Sequence, residues 1–149
     1  MANIREALAR DAKDLQELYT KHLTQNPPKE KQDIGAWSRL LEKLIAAPGY
    51  HLLVAESEGR VVSSVTLVII QNLTHNLRPY ALIENVVTHS DFRNRGYASA
   101  LMEKAGEMAK EGGCYKIMLM TGSKKESTLR FYERCGFDMR GKTAFLKRL

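Results

Sequence analysis

The feature that most narrows the fold lies in residues 80–111. There an apolar strand pattern passes through a short charged turn straight into a helical pattern. Tyr80 to Thr88 (YALIENVVT) has the β-branched and aromatic content of a pleated, packed strand. HSDFRNRG interrupts it, and from about Tyr97 to Glu111 the residues Leu101, Ala105, Met108 and Ala109 share one helical face. Gly112-Gly113 ends that helix. Lys116 to Thr121 reads as the next strand. Lys125 to Cys135 reads as a helix with Gly136 as its C′ residue. Strand, helix, strand, helix in this order calls for a sheet with crossover connections.

The first 79 residues supply the rest of that sheet. Ile4 to Ala7 is a short strand, and Asp11 is placed to cap a helix with Leu15, Leu18 and Tyr19 on one face. Asn26-Pro27-Pro28 stops it. A second helix runs from about Asp33 to Ala46, with Trp37, Leu40, Leu41, Leu44 and Ile45 on one side. His51 to Ala55 and Val61 to Ile70 form a hairpin around Glu58-Gly59, and 71–79 is a polar loop. Phe137 to Leu149 should add one or two final strands. The expected fold class is α/β with mixed, α+β character. It is a single domain over residues 1–149, with a central mixed sheet flanked by about four helices.

Composition removes several classes. No apolar run approaches the ~20 residues of a membrane span. The N-terminus has no apolar signal-like core, and two cysteines without a C-x-x-C spacing make neither a disulfide scaffold nor a structural zinc site. A soluble cytoplasmic protein without a membrane partner is expected. The charge is uneven: residues 1–90 hold ten basic and ten acidic residues, residues 91–149 thirteen and seven, so the net +6 lies wholly in the second part. An anion site, a nucleic-acid surface and a merely solvated basic face all produce such an excess.

The chemistry concentrates in Arg93-Asn94-Arg95-Gly96-Tyr97-Ala98-Ser99. A helix N-terminus offers unpaired N–H groups and a positive dipole end, Gly96 permits close approach, and Arg93 and Arg95 add charge. It is neither a Walker loop nor a G-x-G-x-x-G turn. The pattern R-x-x-G-x-A resembles the acetyl-CoA pyrophosphate loop of the GNAT acetyltransferase family. Phe131-Tyr132-Glu133-Arg134-Cys135-Gly136-Phe137 is similar to that family's second hallmark, in the family's order and at its usual separation. Within the family, Ile83-Glu84-Asn85-Val86-Val87 and Gly113-Cys114-Tyr115-Lys116-Ile117 look like segments of glucosamine-6-phosphate N-acetyltransferase branches, with Asn85 where those have an acid.

The resemblance implies an acetyl-CoA-dependent N-acetyltransferase working by direct transfer in a ternary complex, without a metal. Its acceptor would be a primary amine of a small molecule. A protein N-terminal or lysine acetyltransferase and a non-catalytic acyl-CoA sensor are the alternatives. The pantetheine arm would run beside Val86, Val87 and Thr88, the pyrophosphate would lie on Arg93 to Ser99, and Thr128 would support the arm. Tyr132 is the expected acid for the leaving thiolate and Glu84 the expected base for the incoming ammonium. A main-chain N–H near Val87 would hold the oxyanion. His75, Arg78, Tyr80 and Asn85 are expected on the acceptor side. Cys114 and Cys135 read as packed thiols, and the four histidines have no ligand spacing for a metal. No nucleic-acid motif accompanies the basic half, so no nucleic-acid partner is expected. A homodimer through the C-terminal strands is a further implication of the resemblance.

Overall fold

The computed structural model describes residues 2–149. One five-stranded sheet organises them: β1 (Asn3–Glu6), β2 (Tyr50–Ser57), β3 (Arg60–Ile70), β4 (Tyr80–Thr88) and β5 (Ile117–Leu119), in that spatial order. The first three pairings are antiparallel and β4–β5 is parallel, so the sheet is mixed as expected.

Four helices flank it. The first, α1 (Ala12–Glu17), runs on as a π-helical turn, Leu18–His22. The others are α2 (Ile34–Ala46), α3 (Tyr97–Glu111) and α4 (Glu126–Arg134). One face of the sheet packs Leu53, Ala55, Val65, Leu67, Ala81 and Ile83 against Leu101, Met102, Ala105 and Ala109 of α3. Phe131 and Tyr132 of α4, and Cys135 just after it, close over the same core. The opposite face packs Leu52, Val54, Val61 and Val87 against Leu15, Leu18 and Leu41, with Tyr19 and Trp37 at its margin. The alternation of β2, with Leu52 and Val54 to one side and Leu53 and Ala55 to the other, makes both layers possible.

Four expectations need correction. Asp33 caps α2 through Gly35 N–H and Ala36 N–H, at 3.0 and 3.2 Å, but Asp11 does not cap α1. Its carboxylate instead accepts from Leu8 N–H and takes both Arg5 guanidinium nitrogens, which hold it below the ordinary carboxylate range against the opposing pull of burial. Leu40 and Ile45 leave the buried side of α2 and stand exposed, since only Trp37, Leu41 and Leu44 fall on the sheet-facing stripe. β5 is three residues long, shorter than Lys116–Thr121. The expected C-terminal strands do not form: 138–149 carries no strand, and Phe145 and Leu146 are exposed. Strand propensity depends on a partner, and a single apolar run flanked by Lys142, Lys147 and Arg148 finds none within this chain.

Candidate active site

β5 ends at Leu119 while β4 runs on to Thr88, which leaves an open sheet edge, the wedge. Ala81, Leu82 and Ile83 pair with Ile117, Met118 and Leu119, after which β4 continues through Thr88 with no strand on that side. The opening coincides with a β-bulge. Thr66 stands opposite Glu84 and Ser64 opposite Val87, so Asn85 and Val86 face the single residue Val65. Asn85 takes φ 53°, a left-handed conformation that Asn tolerates better than its β-branched neighbours would. The bulge frees main-chain groups of 85–86 from the β3 ladder and exposes Glu84. Thr88 ends the strand with its hydroxyl against Ser63 Oγ at 2.8 Å.

At the mouth of the wedge the chain turns into α3. Asn94 and Gly96 both lie at positive φ, 60° and 84°. A Cβ added to Gly96 would meet nothing within 4 Å, so glycine serves the turn's conformation and leaves its surface open. No side chain caps α3 and no acid lies in its first turn. The N–H groups of Tyr97, Ala98 and Ser99 have no intrahelical acceptor, and a 15-residue helix aligns its dipole on them. Arg95 stacks over Phe92 at 5.0 Å, and Arg93 donates to Thr88 O at 3.3 Å. Tyr97 anchors the turn from behind, its phenol meeting Ser57 Oγ at 3.0 Å. This arrangement fits a diphosphate: open donors, two cations and no acid in the helix's first turn.

Tyr132 of α4 packs against the core that β4 and α3 share, with Glu84 near enough to act on its phenol. Burial pushes its phenol above the ordinary value, and the nearby Cys135 and Glu84 push the same way, so it keeps its proton at neutral pH. The helix stop explains its placement. Phe137 N–H donates to Tyr132 O and Gly136 N–H to Glu133 O, with Gly136 at φ 93°. This is a Schellman cap, and its hydrophobic contact is the Tyr132–Phe137 ring pair, 6.4 Å between centroids. The sequence motif around Tyr132 is thus also the device that orients it. Thr128 lies one turn earlier on the same helical face. Burial raises both Cys114 and Cys135 thiols, which keeps them poor nucleophiles.

Of the expected acceptor residues, His75, Arg78 and Tyr80 lie toward the other end of β4, while Asn85 sits in the bulge. Arg78 donates to Gly113 O and Cys114 O, both at 3.2 Å, and His75 stacks on Tyr115 at 3.8 Å. Tyr80 and Tyr115 flank Lys116. His75, Asn76 and Leu77 all have positive φ, so this loop makes a left-handed turn. The Asn85 bulge was missed by pattern reading, although an Asn inside a β-branched run is the signal for one. Also missed was the meeting of His22 and His89, whose rings lie 4.1 Å apart.

Comparison with known proteins agrees with this geometry. A family model described as the acetyltransferase (GNAT) family matches residues 12–137. Glucosamine 6-phosphate N-acetyltransferase of Trypanosoma brucei brucei is 30% identical over 116 residues, 78% of this chain and 76% of that protein. Glucosamine 6-phosphate N-acetyltransferase 1 of Dictyostelium discoideum is 26% identical over 94 residues, 62% of this chain and 58% of that protein. Among solved structures, a protein of Agrobacterium tumefaciens str. C58 described as an acetyltransferase superposes with a TM-score of 0.87 at 40% identity, covering 99% of both chains. The wedge, the uncapped helix at its mouth and these matches place the chain in the GNAT family of N-acetyltransferases.

Proposed function

We propose that this chain transfers an acetyl group from acetyl-CoA directly to a primary amine of a small molecule, both bound together. The observation that carries the reading is the wedge itself. A free strand edge, an uncapped helix end and a phenol that burial keeps protonated belong to elements of one core and support the reading. Val86, Val87 and Thr88 would pair with the pantetheine amides as an added strand. Asn94, Gly96, Tyr97, Ala98 and Ser99 would hold the pyrophosphate through main-chain N–H groups, with Arg93 and Arg95 supplying charge. Thr128 would contact the arm from α4. Acetyl-CoA supplies the activated acyl group.

The residues then divide the proton work. Glu84, exposed where the bulge opens, takes a proton from the incoming ammonium directly or through water. A main-chain N–H near Val87 steadies the charge that develops on the carbonyl oxygen. Tyr132 gives its proton to the departing thiolate and regains one from the nitrogen, through water, as the amide forms. His75, Arg78, Tyr80 and Asn85 border the acceptor side, and amino sugars and their phosphates are the first acceptors to try. A metal has no role in this scheme. The protein is read as cytoplasmic; among the described residues no helix is long and apolar enough to cross a membrane. A homodimer is part of the proposal, because the far edge of β5 is unpaired and Phe145 and Leu146 stand exposed.

The test is thiol release from acetyl-CoA over a panel of amines that includes glucosamine 6-phosphate. Amine-dependent release that falls on the order of 10²-fold in Tyr132→Phe is expected, with acetyl-CoA affinity little changed. Tight binding without turnover of any amine would favour a sensor. Turnover of peptide amines alone would favour a protein acetyltransferase.

A further inference from the structure

His22 and His89 reach the same place from different elements, His22 at the end of the π-helical turn and His89 just after β4. Both use Nδ1 for the same task. Ser90 N–H donates to His22 Nδ1 at 3.3 Å, and Asp91 N–H donates to His89 Nδ1 at 3.2 Å. A ring nitrogen that accepts an N–H carries no proton, so each neutral ring holds its proton on Nε2. The His22 carbonyl also accepts from the Arg93 guanidinium at 3.5 Å. The pair therefore fixes Ser90, Asp91 and Arg93, the approach to the diphosphate turn.

The charged neighbours are few. Glu17 Oε1 lies 3.8 Å from His89 Nε2, and Lys21 and Arg60 engage Glu17 in turn. The Asp91 carboxylate lies 3.9 Å from His89 Nδ1. Ligand atoms of Glu17, His22 and His89 fall within 4.8 Å of one another. Both imidazole lone pairs are nonetheless committed to main-chain N–H groups, and Arg60 holds Glu17, which suits positioning and not metal ligation.

We propose that His22 and His89 are positioning residues for the cofactor's diphosphate. The two rings hold the 90–93 segment, and a second proton on His22 breaks its bond to Ser90 N–H and releases the turn. The proposal rests on the acetyl-CoA reading above. Burial and the adjacent His89 push the His22 imidazole below its ordinary value; Arg93 adds to that, while Glu17 and Asp91 oppose it. A proton on His22 would also stand beside the Arg93 cation and drive away one of the turn's own anion ligands.

Calorimetric titration of the whole chain from about pH 7.5 to about pH 5.5 tests this. The ligands are acetyl-CoA and its 3′-dephospho analogue, which lacks the ribose phosphate that itself titrates near pH 6. The dissociation constant of the analogue should rise about fivefold on acidification, the worth of one lost hydrogen bond. His22→Asn offers an amide oxygen to the same N–H without a titrating proton, and its profile should be flat. His22→Leu should bind about fivefold more weakly throughout. His22→Gln offers the same amide oxygen and should give the same flat profile if the first variant does not fold. A flat or acid-strengthened wild-type profile overturns the proposal, as does an Asn variant that follows the wild type. Absence of binding near pH 7.5 overturns the cofactor reading and this proposal with it.

Discussion

The two ends of β4 share engaged cations, Arg93 on the Thr88 and His22 carbonyls and Arg78 on those of Gly113 and Cys114, but differ in their main-chain donors. At the Thr88 end, α3 begins uncapped and the Gly96 surface is open. At the Tyr80 end, the cations and aromatics are already engaged: Arg78 on the Gly113 and Cys114 carbonyls, His75 on Tyr115, Lys116 over two tyrosine rings. Unsatisfied donors on a rigid element mark the end built for a ligand. Satisfied ones mark an end whose first duty is to hold the fold.

The contrast can be broken most sharply at Gly96. Gly96→Val puts a β-branched residue at φ 84°, and acetyl-CoA binding should weaken roughly 10- to 100-fold while circular dichroism stays native. A native affinity would mean that the open end is not the cofactor end. Next in size is Asn85→Val at φ 53°, which should cost about 1–3 kcal/mol in denaturant unfolding and lower turnover together with stability. Unchanged stability would show that the bulge relaxes freely. Arg78→Ala sharpens the other end. Losing two exposed carbonyl contacts should cost about 1 kcal/mol in thermal unfolding and leave acetyl-CoA affinity unaltered. A large rise in the acceptor KM would give Arg78 a second duty.

The smallest effect is on stability against pH. His22 is shifted below 6.5, so the native state favours the neutral ring. Its contribution is present above pH 6.5 and lost as pH falls from there toward the native value. Melting temperature should drop more between pH 7 and pH 5 in the wild type than in His22→Asn.

What was legible in the sequence follows the same division. β4 and α3 fall where their patterns put them, because a β-branched run and a 3.6-residue stripe bounded by glycines leave little choice. Arg93 to Ser99 and Tyr132 were legible as motifs because their geometry needs particular residues: glycine at left-handed turns, and Phe137 to close the cap behind Tyr132. Leu40, Ile45 and the C-terminal apolar run misled, since a local pattern cannot say whether a partner surface exists. The His22–His89 contact had no local signal, because only the packing of the π turn against β4 brings the rings together.

The bulge in β4 has a consequence for how such a site could arise. Ile83 and Val86 point into the α3 core, while Val87 joins the core on the other face and Glu84 stands exposed. Remove Asn85 and the strand reads as unbroken alternation, with every core side chain still on its proper face. The core does not require that residue. A plain strand and a bulged one are one inserted amino acid apart, so the irregularity that exposes Glu84 could be gained or lost without rebuilding the interior.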